Sequence, residues 1–207
     1  MPLVPPALQD EFARRYGRAD RHYHNLTHIR ALLDLLARHR VEFSDPDAVE
    51  AAIWFHDAIY DSRAKDNETR SAALAADALA GSVAPERLAR IVRMIEATAG
   101  HQVSTDISEE ERADTALFLD MDLSILGASA QRYAAYEDEV RREYFWVDDA
   151  TWRARRADFL ESFLARERIF STEVFRREFE PKARANMAAS LARLRSDGPA
   201  KTPRPSP

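Results

Sequence analysis

Apolar residues at helical spacing, bounded by helix-capping residues, are the feature that most constrains the fold of this chain. The segment after Asn25, for example, reads LTHIRALLDLLARH and repeats apolar residues every three or four positions. Only 5 of the 207 residues are glycine, and most of these follow such a segment. The pattern predicts an all-α fold, in a single compact domain of about eight to ten helices over residues 7–195. Residues 1–6 and 196–207 are predicted to be disordered tails, the second because it is rich in proline.

The helix boundaries follow from capping residues, prolines and glycines. Either Ser44 or Asp45 can cap the third helix, because Pro46 comes next. Ser108 and Glu111 can form a capping box at the start of the sixth. The predicted helices cover residues 7–16, 25–39, 46–60, 66–80, 85–99, 108–127, 130–144, 149–166, 172–179 and 181–195.

Composition disfavours several classes of protein. The net charge of −5 and the pI near 5.7 argue against nucleic acid as a partner. The basic run at residues 153–156 is interpreted as a solvated helix face, with phosphate contacts as the alternative. The absence of cysteine excludes disulfides, thiolate metal sites and cysteine nucleophiles. No apolar run is long enough to span a membrane, and the first residues lack the pattern of a secretory signal. We therefore expect a cytoplasmic protein that does not enter a membrane.

Histidines and aspartates lie on the apolar faces of three predicted helices. His56 and Asp122 have apolar neighbours three and four positions away, and Asp57 lies at the edge of the face that carries His56. His28 has Ala31 and Leu32 after it and the polar His24 and Asn25 before it. A buried carboxylate needs a cation, a charged partner or water. Two imidazoles and two carboxylates suit a divalent transition metal such as manganese, iron, nickel or zinc. Each residue taken alone also fits a structural role, such as an ion pair with an arginine.

Two aspartates of the sixth helix compete for the role of ligand. Asp122 is surrounded by Phe118, Leu119, Ile125 and Leu126, all of which are large and apolar. Asp120 points to the other side of the helix, toward a less uniform set of neighbours. The sequence therefore favours Asp122 and leaves Asp120 as the alternative.

Several motifs together resemble the HD-domain superfamily of metal-dependent phosphohydrolases. They are RHYHNLTHI, FHDAIYDSRAKDNETRSA, IEATAGH, FLDMDLSILG and YEDEVRREY, and they extend from residue 21 to residue 144. The resemblance is to a bacterial subgroup of predicted HD phosphohydrolases. It implies a helical domain with a metal site between its central helices.

The resemblance also implies roles for individual residues. His28, His56, Asp57 and Asp122 match the superfamily's metal ligands for one or two ions, with magnesium as a further possibility. His24 does not fit the ligand spacing and is expected to support a ligand or face the substrate. His101 matches histidines that serve a second metal or the substrate phosphate.

An acidic segment after the His-Asp pair matches the region where related enzymes orient the attacking water. Glu68 is the predicted general base, and Asp66 is the second choice. Lys65 and Asn67 are predicted to bind substrate.

The expected function is hydrolysis of a phosphate ester of a nucleotide or similar small metabolite, by a monomer or homodimer. One alternative is a phosphodiesterase or pyrophosphohydrolase of a signalling nucleotide. Another is a di-iron oxygenase, in which His24, Glu68 and His101 would bind metal. The last is an HD-type binding module without activity. The sequence lacks Glu-x-x-His, His-Glu-x-x-His and a glycine-rich phosphate loop, which disfavours ferritin-like, zincin and P-loop proteins.

Overall fold

The computed structural model describes residues 3–196, and this part of the chain contains nine α-helices, two 3₁₀ helices and no strand. The prediction of an all-α domain with eight to ten helices is confirmed. The α-helices are α1 (Pro6–Tyr16), α2 (Leu26–Arg38), α3 (Pro46–Phe55), α4 (Asn67–Leu79), α5 (Pro85–Ala97), α6 (Glu109–Leu123), α7 (Ala130–Glu143), α8 (Asp149–Leu164) and α9 (Glu173–Ser196). The 3₁₀ helices are Arg40–Glu42 and Ser124–Gly127.

Side-chain caps fix the starts of the helices that carry the candidate site. The Asn25 side chain accepts hydrogen bonds from two main-chain N–H groups in the first turn of α2. Asp45 accepts one from Ala48 at the start of α3, and Ser108 accepts one from Glu111 at the start of α6. Asp45 rather than Ser44 therefore caps α3. Of the predicted capping box only the Ser108 half is formed, because the Glu111 carboxylate binds Arg93.

Helix α3 lies in the centre of the core. All of its residues from Ala48 to Phe55 are buried except Glu50, and it packs against α2, α4, α5 and α6. Burying a large apolar side chain stabilises a fold by about 1.5–3 kcal/mol, so this helix is firmly anchored. Its C-terminal end consequently provides a rigid support for the residues that follow it.

The third helix is shorter than predicted. We expected it to reach Tyr60, but α3 ends at Phe55, and His56 and Asp57 form the turn that follows. The Arg21 guanidinium accounts for this end, because it donates hydrogen bonds to the main-chain oxygens of Asp57 (2.6 Å) and Ala58 (3.0 Å). His56 and Asp57 thus stand at the end of a helix rather than within one.

The last helix is longer than predicted. We expected a break between residues 179 and 181, but α9 continues through Pro181. A proline inside a helix costs about 3 kcal/mol, since one hydrogen bond is lost. Phe175 on one side of it, and Ala183 and Met187 on the other, are completely buried, and this burial offsets the cost.

The structure describes part of each segment that was predicted to be a tail. Val4 is buried, and its main-chain oxygen accepts a hydrogen bond from the Gln9 side chain at 2.9 Å. Pro6 is the first residue of α1, and Ser196 is the last residue of α9. Residues 1–2 and 197–207 lie outside the described residues. Between residues 3 and 196, no helix has both the length and the apolar character that a membrane span requires.

Candidate metal centre

Three helices bring two histidines and an aspartate together. His28 comes from α2, His56 follows α3, and Asp122 lies in the last turn of α6. Each offers one possible metal-binding atom, and these atoms lie within 4.8 Å of one another. The two imidazole Nε2 atoms are 3.2 Å apart. The group has the residue types and the spacing to hold a metal ion.

Two carboxylates flank the imidazole pair. The Asp122 Oδ1 atom lies 3.2 Å from Nε2 of His28 and 3.8 Å from Nε2 of His56. The Asp57 Oδ2 atom lies 3.0 Å from Nε2 of His56 and 3.6 Å from Nε2 of His28. Asp57 therefore contacts both imidazoles, while the group whose atoms all lie within 4.8 Å of one another consists of His28, His56 and Asp122.

The hydrogen bonding of His56 leaves the correct nitrogen for a metal. Its Nδ1 lies 2.8 Å from the main-chain oxygen of Ile53, and because that oxygen can only accept, Nδ1 carries the hydrogen. Nε2 is then the atom with a lone pair, and it faces His28 and the two carboxylates.

The electrostatics of the site favour a positive charge. Burial opposes a charge on His56, but the nearby Asp57 and Asp122 carboxylates outweigh it and raise its pKa to about 9. Burial likewise opposes the charges of Asp57 and Asp122, but the neighbouring histidines lower the pKa of both carboxyl groups. A donor set that attracts a proton this strongly also fits a divalent cation.

Asp120 has a different set of partners from Asp122. Its carboxylate accepts hydrogen bonds from the main-chain N–H of Ser171 (2.8 Å) and from the N–H and hydroxyl of Thr172 (2.7 and 2.6 Å). These groups directly precede α9, where unpaired N–H groups favour a negative charge. The structure thus brings Asp122, not Asp120, to the histidines.

His24 is fixed by Glu143, a residue that the sequence analysis did not single out. One oxygen of Glu143 accepts the main-chain N–H groups of His22, Tyr23 and His24 at 2.7–2.9 Å. The other oxygen lies 2.6 Å from Nδ1 of His24 and accepts the Tyr60 hydroxyl at 3.0 Å. The motif YEDEVRREY contains Glu143, but its partners lie more than 80 residues away in sequence, so no local signal identified it.

The contact between Glu143 and His24 shifts both pKa values. Burial would raise the pKa of Glu143, but hydrogen bonds and charge from His24 lower it to about 2. Burial would lower the pKa of His24, but the charges of Asp57 and Glu143 raise it. The pair therefore favours an imidazolium beside a carboxylate.

Arg21 is the second residue that the sequence analysis missed. It is buried and donates to the main-chain oxygen of His24 (3.1 Å) as well as to those of Asp57 and Ala58. One guanidinium thus joins the turn that carries His24 to the turn that carries Asp57.

His101 contacts the outer oxygen of Asp122. Its Nε2 lies 2.9 Å from Oδ2 of Asp122, while Oδ1 is the oxygen close to His28. His101 has a φ of 49°, which non-glycine residues adopt uncommonly. This backbone conformation places the imidazole where it can orient the Asp122 carboxylate.

A cavity of about 510 Å³ opens beside these residues. His24, His101 and Asp122 contribute to its lining. The aromatic side chains that line it come mainly from α7, α8 and the segment between them, and they are Tyr23, Tyr136, Tyr144, Trp152, Phe159 and Phe163. Cavities of this size accept small organic ligands.

Three arginines also line this cavity. The buried Arg156 is paired with Glu137 and donates to the Tyr136 hydroxyl at 3.1 Å. Arg166 packs over the ring of Phe163. Arg155 is exposed and has no carboxylate within 4.0 Å among residues 3–196. Part of the basic run that we interpreted as a solvated face therefore borders the cavity.

The four residues predicted after the His-Asp pair do not line this cavity. Lys65 and Asp66 are exposed, and Asp66 precedes the first turn of α4. Both amide atoms of Asn67 bind the main chain of Asp61, which closes the loop. Glu68 is half-buried in the first turn of α4. Burial is the largest cause of the raised pKa of Tyr144, and the negative charge of Glu68 is one of the smaller causes.

No protein-family model, curated protein or solved structure matches this chain. The resemblance to the HD-domain superfamily therefore stays a prediction from sequence motifs.

Proposed function

We propose that this chain is a metal-dependent phosphohydrolase of the HD type, acting on a phosphate ester of a nucleotide or similar small metabolite. The observation that carries the proposal is the convergence of His28, His56 and Asp122, with Asp57 against both imidazoles, beside an aromatic cavity. An imidazole and carboxylate set next to a ligand-sized cavity is an arrangement suited to metal-assisted hydrolysis.

The donor set suits manganese, iron, nickel or zinc, with magnesium less favoured because two donors are nitrogen. Such an ion, when bound, polarises a phosphoryl oxygen and makes a water molecule more acidic. His28, His56, Asp57 and Asp122 would hold it. One ion fits the geometry better than two, since Nδ1 of His24 faces Glu143 and Nε2 of His101 faces Asp122.

His24 is the proposed general acid. It lines the cavity, and its raised pKa favours the imidazolium form near neutral pH. As the phosphorus–oxygen bond of the ester breaks, His24 gives its proton to the leaving oxygen and neutralises the charge that develops there. Glu68 does not line the cavity, so we assign the proton of the attacking water instead to an oxygen of Asp57 or Asp122 that does not bind the metal.

The cavity accounts for the organic part of the substrate. The rings of Tyr136, Tyr144, Trp152 and Phe159 offer faces on which a nucleobase or another flat group can stack. Arg155 can pair with a further negative charge of the substrate.

A phosphatase screen tests the proposal. Full-length protein is loaded separately with each candidate metal and assayed against nucleoside monophosphates, nucleoside triphosphates, cyclic nucleotides and p-nitrophenyl phosphate. His56→Ala should lose all activity that the wild type shows. His22→Ala is the matched control, because the alanine retains the N–H that binds Glu143. The proposal fails if no metal supports hydrolysis, or if His56→Ala retains the wild-type rate.

The same screen separates the alternatives. Cleavage of cyclic or pyrophosphate substrates alone would identify a phosphodiesterase or pyrophosphohydrolase. Two irons per chain with oxygen uptake would identify an oxygenase, and saturable binding of nucleotide without turnover would identify a binding module.

A further inference from the structure

A second cavity, of about 540 Å³, borders Tyr60 and Glu143 and has a different composition from the first. Its lining contains five arginines but only three acidic residues. The arginines are Arg15, Arg18, Arg21, Arg63 and Arg70. This excess of positive charge is notable because the whole chain carries a net charge of −5.

Two of these guanidiniums have little of their hydrogen-bonding capacity in use. Arg63 has no carboxylate within 4.0 Å among residues 3–196, and Arg70 reaches only Asp66, at 3.9 Å. The other three have close partners, which are Glu11 for Arg15, Asp20 for Arg18 and main-chain oxygens for Arg21. Arg63 and Arg70 are therefore the positive groups with capacity to bind an anion.

Two exposed aromatic rings stand in the same cavity. Phe145 is 72% exposed and Trp146 is 39% exposed, and the guanidinium of Arg63 lies 5.8 and 5.7 Å from their ring centres. In the described part of the chain, Val41 is the only other large hydrophobic residue with such exposure. The two rings give this arginine-rich cavity an exposed apolar surface on which a flat group can pack.

The Trp146 ring is held in place rather than free to turn. Its Nε1 donates to the Ser62 hydroxyl at 2.9 Å, and that hydroxyl donates to the main-chain oxygen of Glu143 at 2.8 Å. A ring fixed in this way loses little conformational entropy when a ligand stacks on it.

We propose that this cavity binds a small planar organic anion. The flat group of the ligand packs against Phe145 and Trp146, and its phosphate, sulfonate or carboxylate group pairs with Arg63 and Arg70. The planar guanidinium suits both contacts, because it forms paired hydrogen bonds with oxyanions and stacks on rings. A cavity of this volume fits a small molecule rather than a polymer. The groups that would contact the ligand are not residues of the metal centre, although Arg21 and Glu143, which hold the turns of that centre, also border this cavity.

The probe for this site is 2-naphthalenesulfonate, a planar anion without a phosphate ester. Isothermal titration of the full-length protein should give saturable binding of one equivalent that persists in Arg155→Gln, which separates this cavity from the aromatic cavity beside the metal centre. Arg63→Gln and Phe145→Leu should each weaken it at least about tenfold, since each removes one of the two kinds of contact. Methanesulfonate, which lacks the ring, and 2-naphthalenemethanol, which lacks the charge, should bind at least about tenfold more weakly for the same reason.

Two control variants locate the probe. Arg155→Gln removes an exposed arginine that lines the other cavity, and His56→Ala alters the metal centre, so both should bind the probe as the wild type does. The proposal is overturned if binding does not saturate, or if Arg63→Gln and Phe145→Leu bind normally. It is also overturned if Arg155→Gln alone loses binding, or if the neutral ring binds as tightly as the sulfonate.

Discussion

Two sides of helix α6 present a carboxylate to very different surroundings. Asp120 and Asp122 are two positions apart, and both are largely withdrawn from solvent. Asp120 accepts hydrogen bonds from two main-chain N–H groups and a hydroxyl just before α9, and the charge of Arg176 is nearby. Asp122 meets the imidazoles of His28 and His101. Main-chain N–H groups and a threonine hydroxyl keep their protons, so they do not become ligands of a cation. A protonated imidazole, in contrast, can release its proton and then bind a cation.

The pKa values of the two carboxyl groups reflect this difference. Burial raises the pKa of Asp120, and its hydrogen bonds to Ser171 and Thr172 counter the burial only in part. Burial also acts on Asp122, but His101, His28 and His56 outweigh it and lower the pKa well below the usual value. A buried carboxylate is therefore informative about function through its partners, and burial alone does not separate a structural aspartate from a metal ligand.

The largest expected difference between the two aspartates is in activity. Asp122→Asn should lower kcat/KM at least about 1,000-fold, because a ligand to the proposed metal is lost and several kcal/mol of transition-state stabilisation go with it. Asp120→Asn should stay within about threefold of the wild type, since its side chain does not touch the site. Steady-state kinetics on the best substrate of the screen measures both. Equal losses of kcat/KM in the two variants would contradict the assignment of Asp122, rather than Asp120, to the metal site.

The pH dependence of metal binding tests the histidines that surround Asp122. In the metal-free protein the pKa of His56 is about 9. Below that pH a proton must leave the imidazole before the metal binds, so affinity should rise by up to about tenfold per pH unit between pH 6 and 8. Competition with a fluorescent zinc chelator measures the affinity. An affinity that is constant or falls over this range would contradict the proposed role of His56.

Stability should respond to Asp120 more than to surface aspartates. Asp120→Asn should lower the free energy of unfolding by about 2 kcal/mol, because an amide NH₂ would face a main-chain donor at the start of α9 and leave it without an acceptor. Asp77→Asn, on the exposed face of α4, is the control and should change stability little. Urea denaturation followed by circular dichroism tests this. A loss of metal from Asp120→Asn at temperatures where it remains folded would argue that both sides of α6 serve the site.

An effect smaller than that of Asp122→Asn is expected for the residue that orients Asp122. His101→Gln should weaken metal binding about 10-fold to 100-fold, as is usual when the partner of a metal ligand is removed. His22→Gln, in which the main-chain contact to Glu143 is retained, should leave the affinity unchanged. If His101→Gln instead abolishes binding, His101 is itself a ligand, and a second ion has to be considered.

The sequence predicted the elements of this site better than the interactions that hold them. Helical periodicity and capping residues identified the helices. The apolar neighbours of Asp122, and Ala31 and Leu32 beside His28, indicated that both residues point inward. The same reasoning placed His56 within a helix, because nothing local shows that Arg21 binds the main chain just beyond it.

Long-range polar contacts explain the features of the site that the sequence did not predict. Glu143 lies in a charged segment that is typical of a solvated helix face, yet the fold buries it against three main-chain N–H groups near His24. Asn67 follows the His-Asp pair closely, but its amide serves the loop rather than the cavity. Such roles depend on which segments meet in the fold, and side-chain spacing does not encode that information.

Metal content per chain tests the central claim most directly. Wild-type protein, Asp122→Asn and Asp120→Asn, each purified without a metal-affinity tag and reconstituted under the same conditions, would be analysed by mass spectrometry for manganese, iron, nickel and zinc. We predict about one equivalent of a divalent metal in the wild type and in Asp120→Asn, and none in Asp122→Asn. Metal retained in Asp122→Asn, or absent from all three proteins, would contradict the assignment of His28, His56 and Asp122 as a metal site.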